Sequence, residues 1–482
     1  MQCIDQKTYL AVFDEKLYSV RKLIQELERG LHSRASGEFI QGLRLIVEAA
    51  DTFLQHRVKN LQTTLAGKPQ QLEVEVAFNA KVALRILGSV HQQYLPLLHA
   101  ESQRNEYLFY PSIERAVSLF TDSSELTLVP DFEYNYAFEG KEFFANREIE
   151  LLEKHSDQDT RKALADLRIK TSLKRWITFL HFPVADRDSA LNLCILAHEL
   201  GHLIDATTKI YQTTLPIELD KASFEELVDT RCSTPASGIK SKSGSPQLTF
   251  ETIFTKSGVQ ARCYLACNEM LEHWIQELIA DILSIHAIGP ASYFAFNDFF
   301  AYMGAENIWS NSHPAPAFRL KLMLDELKDV MGYCSSKSSV DKVLNEAATR
   351  VNSSVNSTTY KNEAKVVYNT IAKNLHVLLS KIRPVISSYS FKASTYEETV
   401  PQIMKRLRAG IAPIETFDKS QGRMVPAPVI SILNAGWELY KTGLTGFYSQ
   451  FRSDVPELER LDTLNHLLFK AIEASEVVRR WK

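Results

Sequence analysis

The 482-residue sequence predicts a mainly α-helical α+β fold, with a small sheet near the middle of the chain and helical regions on either side. Apolar residues recur at helical spacing over residues 9–31, 37–65, 78–99 and 112–120, and again from about residue 362 onward. Residues rich in β-branched and aromatic side chains are concentrated at 125–129, 132–138 and 175–183. We therefore expect an N-terminal helical region (1–120), a core region (121–330) and a C-terminal helical region (331–482).

Composition narrows the classes of protein to which the chain can belong. Apolar residues make up 45% and charged residues 23%, as in ordinary globular proteins. The net charge of −3 gives no electrostatic reason to expect nucleic acid or an anionic membrane as a partner. No apolar run approaches the roughly 20 residues that span a bilayer. The N-terminus lacks the basic start and apolar core of a secretory signal, so we expect a cytoplasmic protein.

The six cysteines agree with this expectation. They are too few and too scattered to form a disulfide framework in a chain of this length. Cys263 and Cys267 have the spacing of neighbours on one helical face, but no second Cys or His pair is placed to complete a tetrahedral site. The pattern therefore predicts thiols in a packed core, in a reducing compartment.

The pentapeptide His198-Glu199-Leu200-Gly201-His202 has the spacing of a metal site. It follows a predicted strand (175–183) and a polar turn whose Asp188 and Ser189 can cap a helix. On that helix both imidazoles share one face, with Glu199 beside it. Zinc held there would lower the pKa of a bound water from about 15.7 to roughly 7. The alternative is a pair of core histidines bonded to backbone carbonyls.

A hydrolytic zinc site needs a third protein ligand and one open position. Glu277 is one candidate, in a strongly helical segment where Asp281 lies one turn further on and can accept a hydrogen bond from a ligating imidazole. Glu225 has the same spacing to Asp229, but a Ser-, Gly- and Lys-rich stretch follows it closely. Asp205 lies on the histidine face of the same predicted helix. We favour Glu277 because a rigid helix is the better support for a ligand.

The strand predicted at residues 175–183 suggests how a substrate is held. An extended peptide can add a strand to an exposed sheet edge and bond through its main chain. We expect this strand to offer such an edge. On that hypothesis a proline at Thr178 would reduce cleavage without removing zinc.

Three segments together resemble a known family. HELGH, the later ELIAD (Glu277 to Asp281) and Ser312-His313-Pro314 with Arg319 downstream look like gluzincin zinc metallopeptidases. The most similar branch is that of the CAAX prenyl proteases and heat-shock membrane peptidases. The resemblance covers roughly residues 170–325. Members of that branch are usually embedded in a membrane, whereas this chain has no apolar run long enough to span one. The chain therefore resembles a soluble relative of that branch.

The resemblance implies a zincin-like core and a role for each matching residue. It assigns Zn²⁺ ligation to His198, His202 and Glu277, with Asp281 as hydrogen-bond partner of a ligand. Glu199 becomes the general base of a metallopeptidase that hydrolyses peptide bonds in a protein or peptide substrate. His313 would bind the carbonyl oxygen as it gains negative charge. Arg319 would support the site electrostatically.

Two other functions fit the same residues. One is a zinc hydrolase that acts on a non-peptide amide. The other is a regulatory or scaffold protein that keeps the metallopeptidase fold without activity. The presence of Glu199 favours an enzyme, because a scaffold has no catalytic need for that carboxylate.

Overall fold

The computed structural model describes residues 6–30, 34–91, 125–131, 137–141, 145–169, 177–183, 186, 189–214, 217–233, 256–304, 307–329, 331–333, 338–386, 390–444, 446–447 and 455–481. The fold is mainly helical, as the sequence predicts. The chain divides into two compact units, Met1–Arg187 and Asp188–Lys482. The predicted division into three regions stays a prediction.

The first unit has a core of five described helices: α1 (Gln6–Gly30), α2 (Arg34–Thr64), α3 (Pro69–Ser89), α4 (Ala145–Lys154) and α5 (Gln158–Ile169). Proline stands in the first turn of α3, where its missing N–H costs nothing. In α2 the fully buried side chains follow helical spacing, which turns one face into the core: Leu43, Ile46, Ala50 and Phe53.

A three-stranded sheet belongs to the same unit: β1 (Glu125–Asp131), β2 (Ala137–Lys141) and β3 (Ile177–Pro183). Strands are confirmed in the segments predicted at 125–129 and 175–183. Of the strand predicted at 132–138, residues 132–136 lie outside the described residues. The central strand is β3, which pairs with β1 in parallel and with β2 in antiparallel.

The predicted open edge at this strand is therefore wrong. Thr178 is the register partner of Leu126 on one side and of Gly140 on the other, so neither edge of β3 is free for a substrate strand. A proline at Thr178 would break the sheet itself. The sequence also predicts that this sheet lies next to the helix that carries His198 and His202, and that placement stays a prediction.

Asp157 links two helices of the first unit, and its removal is expected to cost stability. Its carboxylate accepts a hydrogen bond from Thr160 N at the start of α5 (2.9 Å) and another from Arg57 of α2 (2.6 Å). Burial raises the pKa of Asp157, but these hydrogen bonds and the Arg57 charge bring it down to about 2. We expect Asp157→Ala to lower the free energy of unfolding by about 1–2 kcal/mol at neutral pH, measured by denaturant titration of the full chain.

The sign of the pH dependence follows from the lowered pKa. The carboxylate contributes fully above its unfolded pKa of about 3.9, and the contribution disappears as pH falls toward 2. The stability difference between wild type and Asp157→Ala should therefore narrow between about pH 4 and pH 2. Asp159→Ala, which removes an exposed neighbouring carboxylate, is the control and should change stability less. Equal losses for both variants would contradict the assignment.

The second unit begins with a 3₁₀ turn, Asn192–Ile195, that leads into α6 (Leu196–Thr208). This start lies later than Asp188 and Ser189 predict. Ser189 Oγ accepts a hydrogen bond from Asn192 N and so caps the 3₁₀ turn, while Asp188 lies outside the described residues. The helix therefore starts at the motif and carries it in its first two turns.

The remaining elements of this unit are mostly helices: α7 (Ile210–Thr214), α8 (Lys221–Ser233), α9 (Lys256–Ile288), α10 (Pro290–Met303), α11 (Pro316–Asp329), α12 (Ser339–Ser357), α13 (Glu363–Ile386), α14 (Ala393–Arg408), α15 (Val429–Lys441) and α16 (Glu457–Trp481). Strands β4 (Glu415–Asp418) and β5 (Arg423–Pro426) form a hairpin between α14 and α15. Residues 277–286 of α9 are buried without interruption, which makes α9 the central helix of the unit.

Two findings bear on the sequence expectations. Among the described residues, no helix combines the length and the apolar character needed to cross a bilayer.

Four described cysteines are free, and three of them are buried: Cys194, Cys263 and Cys267. The prediction of core thiols is confirmed for Cys263 and Cys267, and Cys194 is a further buried thiol.

Candidate metal centre

Three side chains from two helices converge on one point. The Nε2 atoms of His198 and His202 lie 3.1 Å apart on α6. Glu277, on α9, places Oε2 at 3.3 Å from His198 Nε2 and Oε1 at 3.3 Å from His202 Nε2. His198 and Glu277 are buried, and His202 is partly exposed. Among the described residues this is the group of three or more His, Cys, Asp or Glu side chains whose donor atoms lie close enough together for one metal ion.

Gly201 explains how the two helices approach so closely. A Cβ atom built on Gly201 would lie 2.8 Å from the Cα and 2.8 Å from the carbonyl oxygen of Ala280. Only a glycine therefore allows this contact between α6 and α9. Gly201 stands beside His202 and Ala280 stands three residues after Glu277, so the contact sets the distance between the imidazoles and the carboxylate.

Asp281 and Arg319 fix the groups behind the triad. Asp281, fully buried on α9, places Oδ1 at 3.0 Å from His198 Nδ1, which leaves Nε2 of that ring directed at the triad. The buried guanidinium of Arg319, on α11, donates to both Asp281 oxygens at 2.8 Å. Its Nη2 also lies 3.0 Å from Glu277 Oε2. Arg319 therefore holds the two carboxylates of α9 in place.

The charges of the site perturb its ionisation. Burial lowers the pKa of His198, but hydrogen bonds to Asp281 and Glu277 and their charges raise it to about 9. Burial raises the pKa of Glu277, yet the Arg319 charge and the two imidazoles bring it well below its usual value. The pKa of Arg319 is raised, since the nearby carboxylates outweigh its burial. Burial raises the pKa of Asp281 too, but Arg319 and His198 bring it below its usual value, so Glu277 and Asp281 are ionised at neutral pH.

The residues fit a zinc ion in both geometry and charge. Two donors about 2.0–2.1 Å from zinc and separated by the tetrahedral angle lie about 3.3–3.4 Å apart. The two imidazole nitrogens lie 3.1 Å apart, and each lies 3.3 Å from one oxygen of the Glu277 carboxylate, a different oxygen for each ring. Three buried carboxylates, Glu199, Glu277 and Asp281, face one guanidinium, that of Arg319, which leaves a net charge of −2 when the imidazoles are neutral. A divalent cation neutralises that charge.

The other two candidate ligands lie elsewhere. Glu225 is exposed on α8, where its nearest ionic partner is Lys221 at 4.0 Å. Asp205 is buried on α6, but its Oδ1 accepts a hydrogen bond from Tyr211 N at 2.7 Å and so closes the turn into α7. Neither belongs to the group of donor atoms formed by the histidines. Of the three predicted acids, the structure therefore brings Glu277 to the imidazoles.

The residues predicted for catalysis lie around the same point. Glu199 is buried in the first turn of α6, close enough to Arg319 for its charge to raise the pKa of that guanidinium. His313 is half exposed in the segment before α11, and its Nε2 lies 3.5 Å from Glu277 Oε1. Arg319 faces the carboxylates of α9 and lies over aromatic rings, and its Nη2 is also 3.4 Å from His198 Nε2, so the guanidinium borders the triad itself.

Sequence reasoning missed the aromatic cover of the site. Phe296 of α10 meets the His198 ring edge to face at a centroid distance of 5.1 Å. The Arg319 guanidinium lies 5.6 Å from the Phe296 ring and 5.3 Å from that of Phe300. The aromatic residues concentrated at 293–300 are the feature of the sequence that could have indicated these contacts.

Compared with protein-family models, curated proteins and solved structures, the chain shows no match.

Proposed function

We propose that this chain is a zinc-dependent metallopeptidase with a zincin-like core built on α6 and α9. The observation that carries the proposal is the convergence of His198, His202 and Glu277, whose donor atoms, one from each residue, lie within 4.8 Å of one another. Asp281 and Arg319 support it, since a structural histidine pair needs no such arrangement of ionised partners. Glu199 is buried on α6 next to His198, at the glutamate position of the H-E-x-x-H pattern.

Each residue has a defined task in this proposal. Bound at the triad, zinc would supply Lewis acidity that makes water a nucleophile at neutral pH and polarises the scissile carbonyl. Glu199 takes the proton from the attacking water and hands it to the leaving amine. His313 donates a hydrogen bond to the carbonyl oxygen as negative charge develops there. Arg319 keeps Glu277 and Asp281 ionised and in position.

The substrate belongs to the same proposal. A protein or peptide would reach the site from the side on which His313 is half exposed, because His198 and Glu277 are buried. Nucleic acid is not the proposed partner, given the net charge of −3. A cytoplasmic location is proposed as well, and the free described cysteines support it.

Metal content gives the first test. We expect the purified wild-type chain to bind about one zinc per chain and Glu277→Gln to lose it on dialysis, because an amide oxygen is a far weaker ligand than a carboxylate. Glu225→Gln, which removes an exposed carboxylate with the same Glu-x-x-x-Asp spacing, is the matched control and should retain zinc. Elemental analysis after dialysis measures both. Zinc retention by Glu277→Gln at the wild-type level would remove the central claim.

Cleavage is tested separately by sequencing new N-termini among cellular proteins exposed to the zinc-loaded chain. A metallopeptidase generates new N-termini in the wild type, and they are absent with Glu199→Gln. Zinc binding without new N-termini, together with release of amine from a non-peptide amide, would assign the site to an amide hydrolase. Zinc binding with neither activity would assign it to a scaffold.

A further inference from the structure

The segment that carries His313 is tied to the helix that carries Glu277. Ser310 N donates to His313 O at 2.9 Å, and His313 N donates to Ser310 Oγ at 3.0 Å, which closes a tight turn. The carbonyl of Ser310 accepts a hydrogen bond from the indole of Trp274 at 3.0 Å. Trp274 is fully buried on α9, one turn before Glu277. The backbone of His313 is therefore positioned relative to Glu277.

The two ring nitrogens of His313 face different partners. Nδ1 lies 2.8 Å from Ser312 Oγ, whereas Nε2 lies 3.5 Å from Glu277 Oε1. Ser312 Oγ is in turn 3.2 Å from Ser310 Oγ. Since Ser310 Oγ already accepts the His313 N–H, its own O–H is available to donate to Ser312. The arrangement in which both hydroxyls donate within this segment runs from Ser310 to Ser312 and from Ser312 to His313 Nδ1.

This direction decides the tautomer of the ring. A neutral imidazole carries one N–H, so a ring that accepts a hydrogen bond at Nδ1 bears its proton at Nε2. The opposite tautomer would turn the Nε2 lone pair toward the ionised Glu277 carboxylate, which is repulsive. A bond donor is also what an oxygen with developing negative charge requires.

We propose that Ser312 is a positioning residue, which holds His313 as the Nε2–H tautomer with that N–H directed into the candidate metal centre. The catalytic meaning of this inference rests on the proposed function, in which His313 donates to the substrate oxygen. The assignment of the tautomer does not depend on the proposed function. Ser312 acts only through His313, and its hydroxyl makes no contact with the three proposed zinc ligands.

The tautomer is read directly by nitrogen NMR of the full chain labelled with ¹⁵N-histidine, recorded above neutral pH where the ring is neutral. His313→Gln identifies the signal. We expect the wild type to show a His313 ring protonated at Nε2 and Ser312→Thr to show the same ring. In Ser312→Ala the share of the Nδ1–H tautomer should rise, although Glu277 still disfavours that form. A neutral hydrogen bond typically shifts such an equilibrium about fivefold. Ser357→Ala removes another serine hydroxyl of the second unit and should leave the signal unchanged.

Turnover supplies the second readout. Ser312→Ala should lower kcat by about three- to tenfold at unchanged KM, because only the transition state needs the Nε2–H donor, and Ser312→Thr should restore it. A His313 ring protonated at Nδ1 in the wild type, or the same tautomer ratio in Ser312→Ala as in the wild type, would overturn the inference. A wild-type chain with no hydrolysis would instead count against the proposed function, and the NMR result would still stand.

Discussion

Replacing Glu199 by glutamine is expected to lower peptide hydrolysis by about 10²–10⁴-fold while zinc stays bound. Glutamine has the size and the hydrogen-bonding capacity to occupy the same buried position, but it cannot take a proton from water. Neither imidazole nor the Glu277 carboxylate is altered by the change. The measurement is turnover of a peptide spanning a cleavage site, made beside the zinc content of the same sample.

The control for this prediction is Glu346→Gln, which removes an exposed carboxylate on α12 and should leave turnover unchanged. A Glu199→Gln variant that loses zinc together with activity would indicate that this carboxylate holds the metal site instead of moving a proton. Undiminished hydrolysis with zinc present would assign the proton transfer to another group. If a biological effect of the chain survives in this variant, that effect comes from a scaffold and not from an enzyme.

Gly201→Ala is expected to weaken both the fold and the metal site. The new Cβ would meet the Ala280 backbone at 2.8 Å, and backbone atoms cannot rotate away as the end of a side chain can. Helices α6 and α9 must therefore separate, at a cost of about 1–3 kcal/mol in the free energy of unfolding. The histidines move with α6 and Glu277 stays with α9, so zinc affinity falls with stability. Denaturant unfolding and zinc titration measure the two effects.

Gly436 offers a matched control within the same unit. A Cβ there would meet only the ends of flexible side chains, those of Leu468 at 2.6 and 3.0 Å and of Leu191 at 3.1 Å. Gly436→Ala should therefore cost less stability and leave zinc affinity at the wild-type level. Wild-type zinc affinity in Gly201→Ala would show that the close approach of the two helices is not what positions the ligands.

The parts of the site that local geometry governs could be predicted from the sequence. Residues four apart share a helical face, so His198 with His202 and Glu277 with Asp281 could be paired from spacing alone. Spacing could not choose between Glu277 and Glu225, because both are followed by an aspartate four residues later. Their burial separates them, and burial depends on how α8 and α9 pack.

Features that depend on distant partners escaped prediction. The β-forming residues at 175–183 indicate a strand, but whether its edges are open depends on pairing with β1 and β2, some 40 to 50 residues away in sequence for their Leu126 and Gly140 partners. The first residue of α6 was predicted too early because a serine such as Ser189 can cap a 3₁₀ turn as readily as an α-helix. The aromatic cover from Phe296 likewise depends on how α10 packs.

The buried Arg319 has one more consequence, which concerns the order of folding and metal uptake. Its guanidinium, together with a His198 ring whose pKa is raised to about 9 despite burial by hydrogen bonds to the same carboxylates, gives Glu277 and Asp281 cationic partners from within the chain, so these two ionised acids are compensated before zinc binds. Unlike small domains that collapse only around their ion, this one should reach its native state empty. Zinc then binds to ligands that are already in position, and a chelator should remove it without unfolding the helices.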